Sequence, residues 1–332
     1  MTKIYDCFMF FQELDLLKIR LEYLFPYVDK FIIVESSQTH AGNKKKFIFE
    51  KNIKSFEKYL KKIIYYKLDE FHLDIKSVRK KLISDQSEES TKVLNAINQV
   101  YANNKYLDEK SLKWLIDIYQ RETLFIPLIN SKPSENDLIM ISDLDEIPNF
   151  ELVSNLRSQL IANSYTIIHN EFNYFVNLNS RNDWLGTIIS TWKILKHQSL
   201  NLLRVDAKNN KIELYDSSLP SYHFTSCGDL ELIRNKVINF GHQEFNNKTI
   251  LNNLENNIID GRDIFGRRVN QKFNVVDISN SNFFDKRMQT ILQSYKNLIN
   301  TTKNKSNFLK YFLFYINLKL LKVYNYLISK IK

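Results

Sequence analysis

The chain has 332 residues, 44% hydrophobic and 13% aromatic, with only 6 Gly and 5 Pro, which is ample for a large core. That composition excludes a disordered or low-complexity protein and fits one large α/β domain or two smaller ones. A formal net charge of +10 favours anionic partners: nucleotides, nucleic acid or an acidic membrane surface.

Residues 3–11, KIYDCFMFF, predict a buried strand almost at the first residue, so neither signal peptide nor N-terminal anchor is expected. The only cysteines, Cys7 and Cys227, lie far apart, which argues against a disulfide framework and fits a reducing cytoplasm. Leu14, Leu17, Leu21 and Leu24 then recur at three- and four-residue spacing and predict a helix. Residues 29–35 and 61–68 predict two further strands, ending near Glu35 and Asp69. Strand, helix, strand is the rhythm of a parallel sheet of nucleotide-binding type. Glu13 and Glu35, at the first two strand ends, are candidate contacts to a base or ribose.

Residues 71–110 are charged, lack Gly and Pro, and predict a helical insertion. A helix carrying Leu112, Leu115, Ile118 and Tyr119 on one side follows, with Arg121 on it. It leads into DLIMISDLDEIP at 137–148, around which the chain is organised. Leu138 to Ile141 have the character of a strand buried on both faces. Asp143, Asp145 and Glu146 then crowd its carboxyl end, where burial and mutual repulsion raise carboxylate pKa values. The Asp-x-Asp spacing places two side chains on the same side of an extended segment. A hard divalent cation shared with a phosphate-bearing ligand would compensate them; a solvated acidic turn is the plainer alternative.

Downstream the pattern becomes more β-like. YTIIHNEFNYFVN and WLGTIISTWKIL are strand-like, and SYHF carries His223. SCGDLELIRNKVINF predicts a helix with Ser226 and Asp229 in capping-box spacing, and His242 and Glu244 follow it. The loop 261–268 is punctuated by glycine and carries Arg262, Arg267 and Arg268, a candidate lid over a diphosphate or a solvated basic turn. Residues 303–332 hold seven lysines and no Asp or Glu among aromatic and aliphatic residues. Lys319 and Lys322 interrupt the apolar run, which argues for an interfacial helix on anionic lipid over a spanning one; docking onto the core is the alternative.

Taken together, DCFMFFQELDLLKIRL, VDKFIIVESSQTHAG, YQRETL, ISDLDEIP, SYHF and INFGHQEFNN resemble, in that order over residues 3–270, family 17 glycosyltransferases. These are the β-1,4-N-acetylglucosaminyltransferases that include the enzyme adding the bisecting residue to N-glycans. The resemblance implies an α/β fold of GT-A type, taken over residues 1–285; the 71–110 helical insertion and the helical lysine-rich tail 286–332 are read from the sequence and are not explained by it. It implies a UDP-sugar donor, UDP-GlcNAc in this family, a manganese or magnesium ion, and inversion at the anomeric carbon. Asp143 and Asp145 match the family's Asp-x-Asp, and His223 matches a late histidine on the same metal. Arg121 matches the basic residue of a Gln-Arg-Asn block, with Glu122 standing where Asn is usual, an unfavourable neighbour for a diphosphate.

Direct displacement needs a general base, for which Glu244, Asp229 and Asp183 are the candidates. The expected acceptor is a glycan or lipid-linked glycan, made at the inner face of a membrane, with no role for nucleic acid. A haloacid dehalogenase-like phosphatase also carries an apolar strand then Asp-x-Asp, with the first Asp as nucleophile, but near the start of its domain. A non-catalytic carbohydrate- or nucleic-acid-binding protein is the other alternative.

Overall fold

The computed structural model describes residues 2–103, 112–159, 161–215, 218–301 and 308–331. The first half is built as expected. Strand β1 (Ile4–Phe10) leads through helix α1 (Leu14–Leu24) to β2 (Lys30–Ser36). The short helix α2 (Ile48–Lys51) and a 3-10 segment lead to β3 (Ile63–Leu68). Strands β1, β2 and β3 are parallel, and β4 (Leu138–Asp143) joins β1, also in parallel, with Asp143 opposite Met9. Runs such as Ile32, Ile33, Ile139 and Ile141 are wholly buried, as a sheet covered on both faces requires.

The segment expected to be an insertion is part of that covering. Helices α3 (Ile75–Asp85) and α4 (Glu88–Asn103) bury Val78, Leu82, Val93 and Ile97 in the same apolar cluster as Ile139 and Ile141 of β4. The rest of the expected insertion, 104–110, lies outside the described residues. Helix α5 (Leu112–Glu122) buries Leu115, Ile118 and Tyr119 on the same face, and α6 (Phe125–Asn130) follows.

Beyond β4 the chain turns at Leu144–Asp145 into the two-residue strand β5 (Glu146–Ile147), and α7 (Phe150–Leu156) is capped by Asn149. Strand β6 (Tyr165–Asn173) and the long β7 (Leu178–Thr191) are antiparallel, and β7 pairs antiparallel with β4. Helices α8 (Trp192–Leu195) and α9 (Leu200–Lys208), strand β8 (Glu213–Leu214) and strand β9 (Tyr222–Thr225) follow. The sheet order is β3-β2-β1-β4-β7-β6-β9-β5, so β4 borders a parallel half and a mixed half.

Helix α10 (Leu230–Asn239) is capped by Asp229, not by Ser226, which takes a left-handed backbone conformation at φ 55°. Helix α11 (Lys248–Ile259) and strand β10 (Asn274–Val275) precede α12 (Lys286–Leu292). Met288, Ile291, Leu292 and Leu298 belong to the main core, so packing shows no boundary at 285/286. What stands apart is the final helix α13 (Phe308–Ile331), packed with α11 on a third apolar cluster.

One buried cation shapes the turn after β4. Arg20, on α1, is fully buried and donates to both oxygens of Asp6, at 2.8 and 2.5 Å. It also donates to Ser142 Oγ at 2.6 Å and to the carbonyls of Asp143, Leu144 and Glu146 at 3.0, 3.0 and 2.7 Å. Its planar donor set thus holds the backbone of the acidic turn from beneath. Arg20→Met would leave the buried Asp6 charge and three carbonyls without their donor, and should cost about 3–5 kcal/mol of unfolding free energy. Urea denaturation followed by circular dichroism measures this; a loss under about 1 kcal/mol would show that the turn stands without Arg20.

Candidate active site

The carboxyl ends of β1, β2 and β4 open onto a cleft of about 930 Å³. Its wall includes Phe11 and Glu13 after β1, Ser36 and His40 from the end of β2 and the loop after it, and Asp143 to Asp145 after β4. Arg121 of α5, Arg204 and Lys208 of α9, and Lys236 of α10 complete the charged lining. This is where an α/β sheet places its ligands, beyond the strand ends and at the border between its two halves.

The two aspartates of the Asp-x-Asp do not act as a same-side pair. The turn at Leu144–Asp145 ends the extended segment, and each carboxylate meets its own cations. Asp143 Oδ1 accepts from Arg121 at 2.9 Å and Oδ2 from Arg204 at 2.6 Å. Asp145 Oδ2 accepts from Lys236 Nζ at 3.1 Å, and Lys236 also lies 3.5 Å from Glu13. The expected rise in carboxylate pKa is reversed for Asp143 and Glu146. Burial pushes Asp143 up, but the Arg121 and Arg204 guanidiniums outweigh it and hold the carboxyl well below its usual range.

Glu146, the third acid, is fully buried and acts as a hub rather than a ligand. It takes Arg204 through both oxygens at 2.9 Å, the Trp184 indole N–H at 2.7 Å and the Asp143 amide at 2.9 Å. Burial raises its pKa and Arg204 more than offsets this, leaving it at about 2. Gly186 makes room for the arrangement, since a Cβ there would lie 2.8 Å from the His169 ring and 3.2 Å from Glu146 Cδ. Trp184 in turn stacks on His223, ring centroids 4.4 Å apart.

His223 sits on β9 directly across from Glu146, with Nε2 3.7 Å from Asp145 Oδ1. Its Nδ1 is buried and has no hydrogen-bond partner among the described residues. Asp145 Oδ1 and His223 Nε2 are the oxygen and nitrogen whose chemistry would suit one divalent cation. Asp143 fits less well, because arginine N–H groups take both its oxygens. Among the described residues no group of three or more His, Cys, Asp or Glu is arranged to hold a metal on its own.

Glu122 is not beside the cleft cations as an intruding charge. It is fully buried and accepts from Ser199 Oγ at 2.5 Å and from the amides of Leu200 and Asn201 at 3.1 and 3.0 Å. The carboxylate thus anchors the amino end of α9, the helix that presents Arg204 and Lys208.

Several expected site residues lie elsewhere. Glu35 is fully buried, accepting from Lys45, Tyr65 and the amides of Ile48 and Phe49, so it caps α2 instead of facing a ribose. Arg262 donates to the carbonyls of Val269 and Gln271, Arg267 pairs with Asp263, and Arg268 pairs with Glu171. None of these three lines the cleft, and the loop 261–268 packs against α13 instead. Asp183 is exposed on β7, and Asp229 accepts from the Leu232 amide as a helix cap. Glu244 is off the wall too, but its neighbour His242 is on it, with Nδ1 2.8 Å from Glu244 Oε1.

Sequence reasoning missed Arg204, Lys208 and Lys236. Each is one basic residue on a helix in a chain with 47 Lys and Arg, and only the fold selects them. Lys208 makes no ion pair or hydrogen bond among the described residues, and its ammonium lies 4.7 Å from the Trp184 ring centre. Burial and then Arg204 lower its pKa, against the opposing pull of Asp143 and Glu146.

No curated protein matches the chain. The family model described as glycosyltransferase family 17 matches residues 1–95, which supply β1 to β3 and the Glu13 side of the cleft; the acidic turn lies outside the match. Over that stretch, under a third of the chain, the sequence is similar to the family 17 glycosyltransferases.

Proposed function

We propose that the protein transfers a sugar, N-acetylglucosamine as in the family it resembles, from a UDP-sugar to a glycan or lipid-linked glycan, with inversion and in a fold of GT-A type. The observation that carries this reading is the convergence of Asp145 and the cations Arg121, Arg204, Lys208 and Lys236 on one cleft wall beyond the carboxyl end of β4, with His223, which is not on that wall, 3.7 Å from Asp145. A nucleotide diphosphate is the ligand class that needs both a shared divalent cation and surrounding guanidinium and ammonium groups.

Asp145 and His223 would hold manganese or magnesium, which as a Lewis acid stabilises the charge on a departing diphosphate. Lys236 supplies the positive charge between Asp145 and Glu13 in this structure, and it meets the same diphosphate from the α10 side. Asp143 acts through the arginines: with both oxygens engaged it sets Arg121 and Arg204 as fixed donors toward the phosphates. Lys208 adds an ammonium with no carboxylate of its own to release. Phe11 and Trp114 on the cleft wall offer faces on which a pyrimidine can stack.

For the acceptor, the His242–Glu244 pair supports a different base from those expected. His242 lines the cleft, and Glu244 holds its Nδ1. That pairing fixes the tautomer with the proton on Nδ1, so Nε2 can take the proton from an acceptor hydroxyl. An aspartyl-nucleophile phosphatase fits poorly, because Asp143, the residue that would attack, has both oxygens bound to arginine.

Three outcomes test this reading. Asp145→Asn should abolish transfer and lower Mn2+ affinity, measured by electron paramagnetic resonance of free Mn2+, while the melting temperature holds; unchanged affinity would remove the metal assignment. Lys208→Ala should weaken UDP binding at least about tenfold by calorimetry without loss of stability, since the side chain makes no ion pair to break. His242→Asn should cut kcat about 100-fold or more with the melting temperature unchanged, while Glu244→Gln gives a smaller loss. A wild-type kcat in His242→Asn would assign the base elsewhere.

A further inference from the structure

The final helix docks by one face only. Tyr311, Phe314 and Leu318 are buried against the third core cluster, and the Tyr311 hydroxyl donates to the Asp263 carbonyl at 3.0 Å. Gly266, at φ 62°, allows this approach: a Cβ there would lie 2.7 Å from Leu318 Cδ1. The loop expected to act as a lid is thus the seat of the helix.

On the opposite face, Leu309, Leu313, Ile316, Leu320 and Val323 alternate four- and three-residue steps, which at 3.6 residues per turn makes one continuous strip. Leu309, Leu313, Leu320 and Val323 are each more than half exposed. Exposed Lys310 and Lys319 border this strip on its two sides. Among the described side chains of the helix, these two lysines flank the strip. A partner must therefore be apolar at its centre and anionic at its edges.

From this geometry we propose that α13 is a membrane-surface anchor that lays its outer strip among the acyl chains of an anionic bilayer, with lysines at the headgroups. Three features favour lipid over a second copy of the chain. Residues 303–332 hold no acid and Lys310 and Lys319 flank the strip, so two such helices face to face would set lysine near lysine with no carboxylate between them. No helix among the described residues is long and apolar enough to cross a membrane, which suits a helix lying in the interface. Long lysine side chains reach headgroup phosphates from the edge of a buried strip without taking the charge into the hydrocarbon. The inference is independent of the donor, the metal and the base. What it adds is location: α13 packs on α11, and α11 packs on α10, whose Lys236 lines the cleft. The catalytic pocket would work within reach of a glycan displayed at that surface.

The test is flotation of the full chain with vesicles of phosphatidylglycerol and phosphatidylcholine, against phosphatidylcholine alone. Binding should require phosphatidylglycerol and fall as salt rises. Leu313→Glu with Leu320→Glu should lower partitioning at least about tenfold with the melting temperature unchanged, because both side chains are exposed in the folded chain. Equal partitioning of this variant, or no binding of the full chain to anionic vesicles, would overturn the proposal. So would a dimer in sedimentation that dissociates in the same variant, since it would identify a second copy as the occupant.

Discussion

The geometry of the cleft depends on a guanidinium that never reaches it. Arg20, sealed beneath the sheet end, takes three successive elements of order at once: the Asp6 carboxylate in β1, Ser142 in β4 and the carbonyls of the turn that follows. A tight turn carrying three acids would otherwise leave inward-facing carbonyls unpaired, at a desolvation penalty each. The charge sits on α1, so the first helix and the fourth strand are bound into one unit before any ligand arrives.

Above this floor lies a second layer of paired charges. Glu146, Arg204 and Asp143 form a chain in which each carboxylate is held by guanidinium, and Arg121 closes it from α5. Both acids ionise more readily than in water because the arginines outweigh the effect of burial. The consequence for function is preorganisation: donors fixed by buried partners need not rearrange when a charged substrate arrives. The Glu146–Trp184–His223 contacts extend the same order to the histidine, since a bonded indole lies flat on the imidazole ring.

Glu122 illustrates how a departure from a family pattern can move a function rather than remove one. The carboxylate is directed at the start of α9, where it binds two amides and the Ser199 hydroxyl. It therefore supports the helix that presents Arg204. The loop 261–268 is a parallel case: its arginines bond within the protein, and its glycine admits the last helix.

Local periodicity was enough to place β1, α1, β2, β3 and β4, because strands buried on both faces read as continuous apolar runs and amphipathic helices as 3.6-residue repeats. It also marked the acidic turn and singled out His223, which lies 3.7 Å from Asp145. Sequence alone did not reveal that Asp143 belongs to arginines, that Glu35 caps a helix, or that Arg204, Lys208 and Lys236 line one cleft. Those facts concern pairs 13 to 91 residues apart, from Glu35 with Ile48 to Lys236 with Asp145. A side chain's chemistry is written in the residue, but its partner is chosen by which strand ends and helix faces the fold brings together.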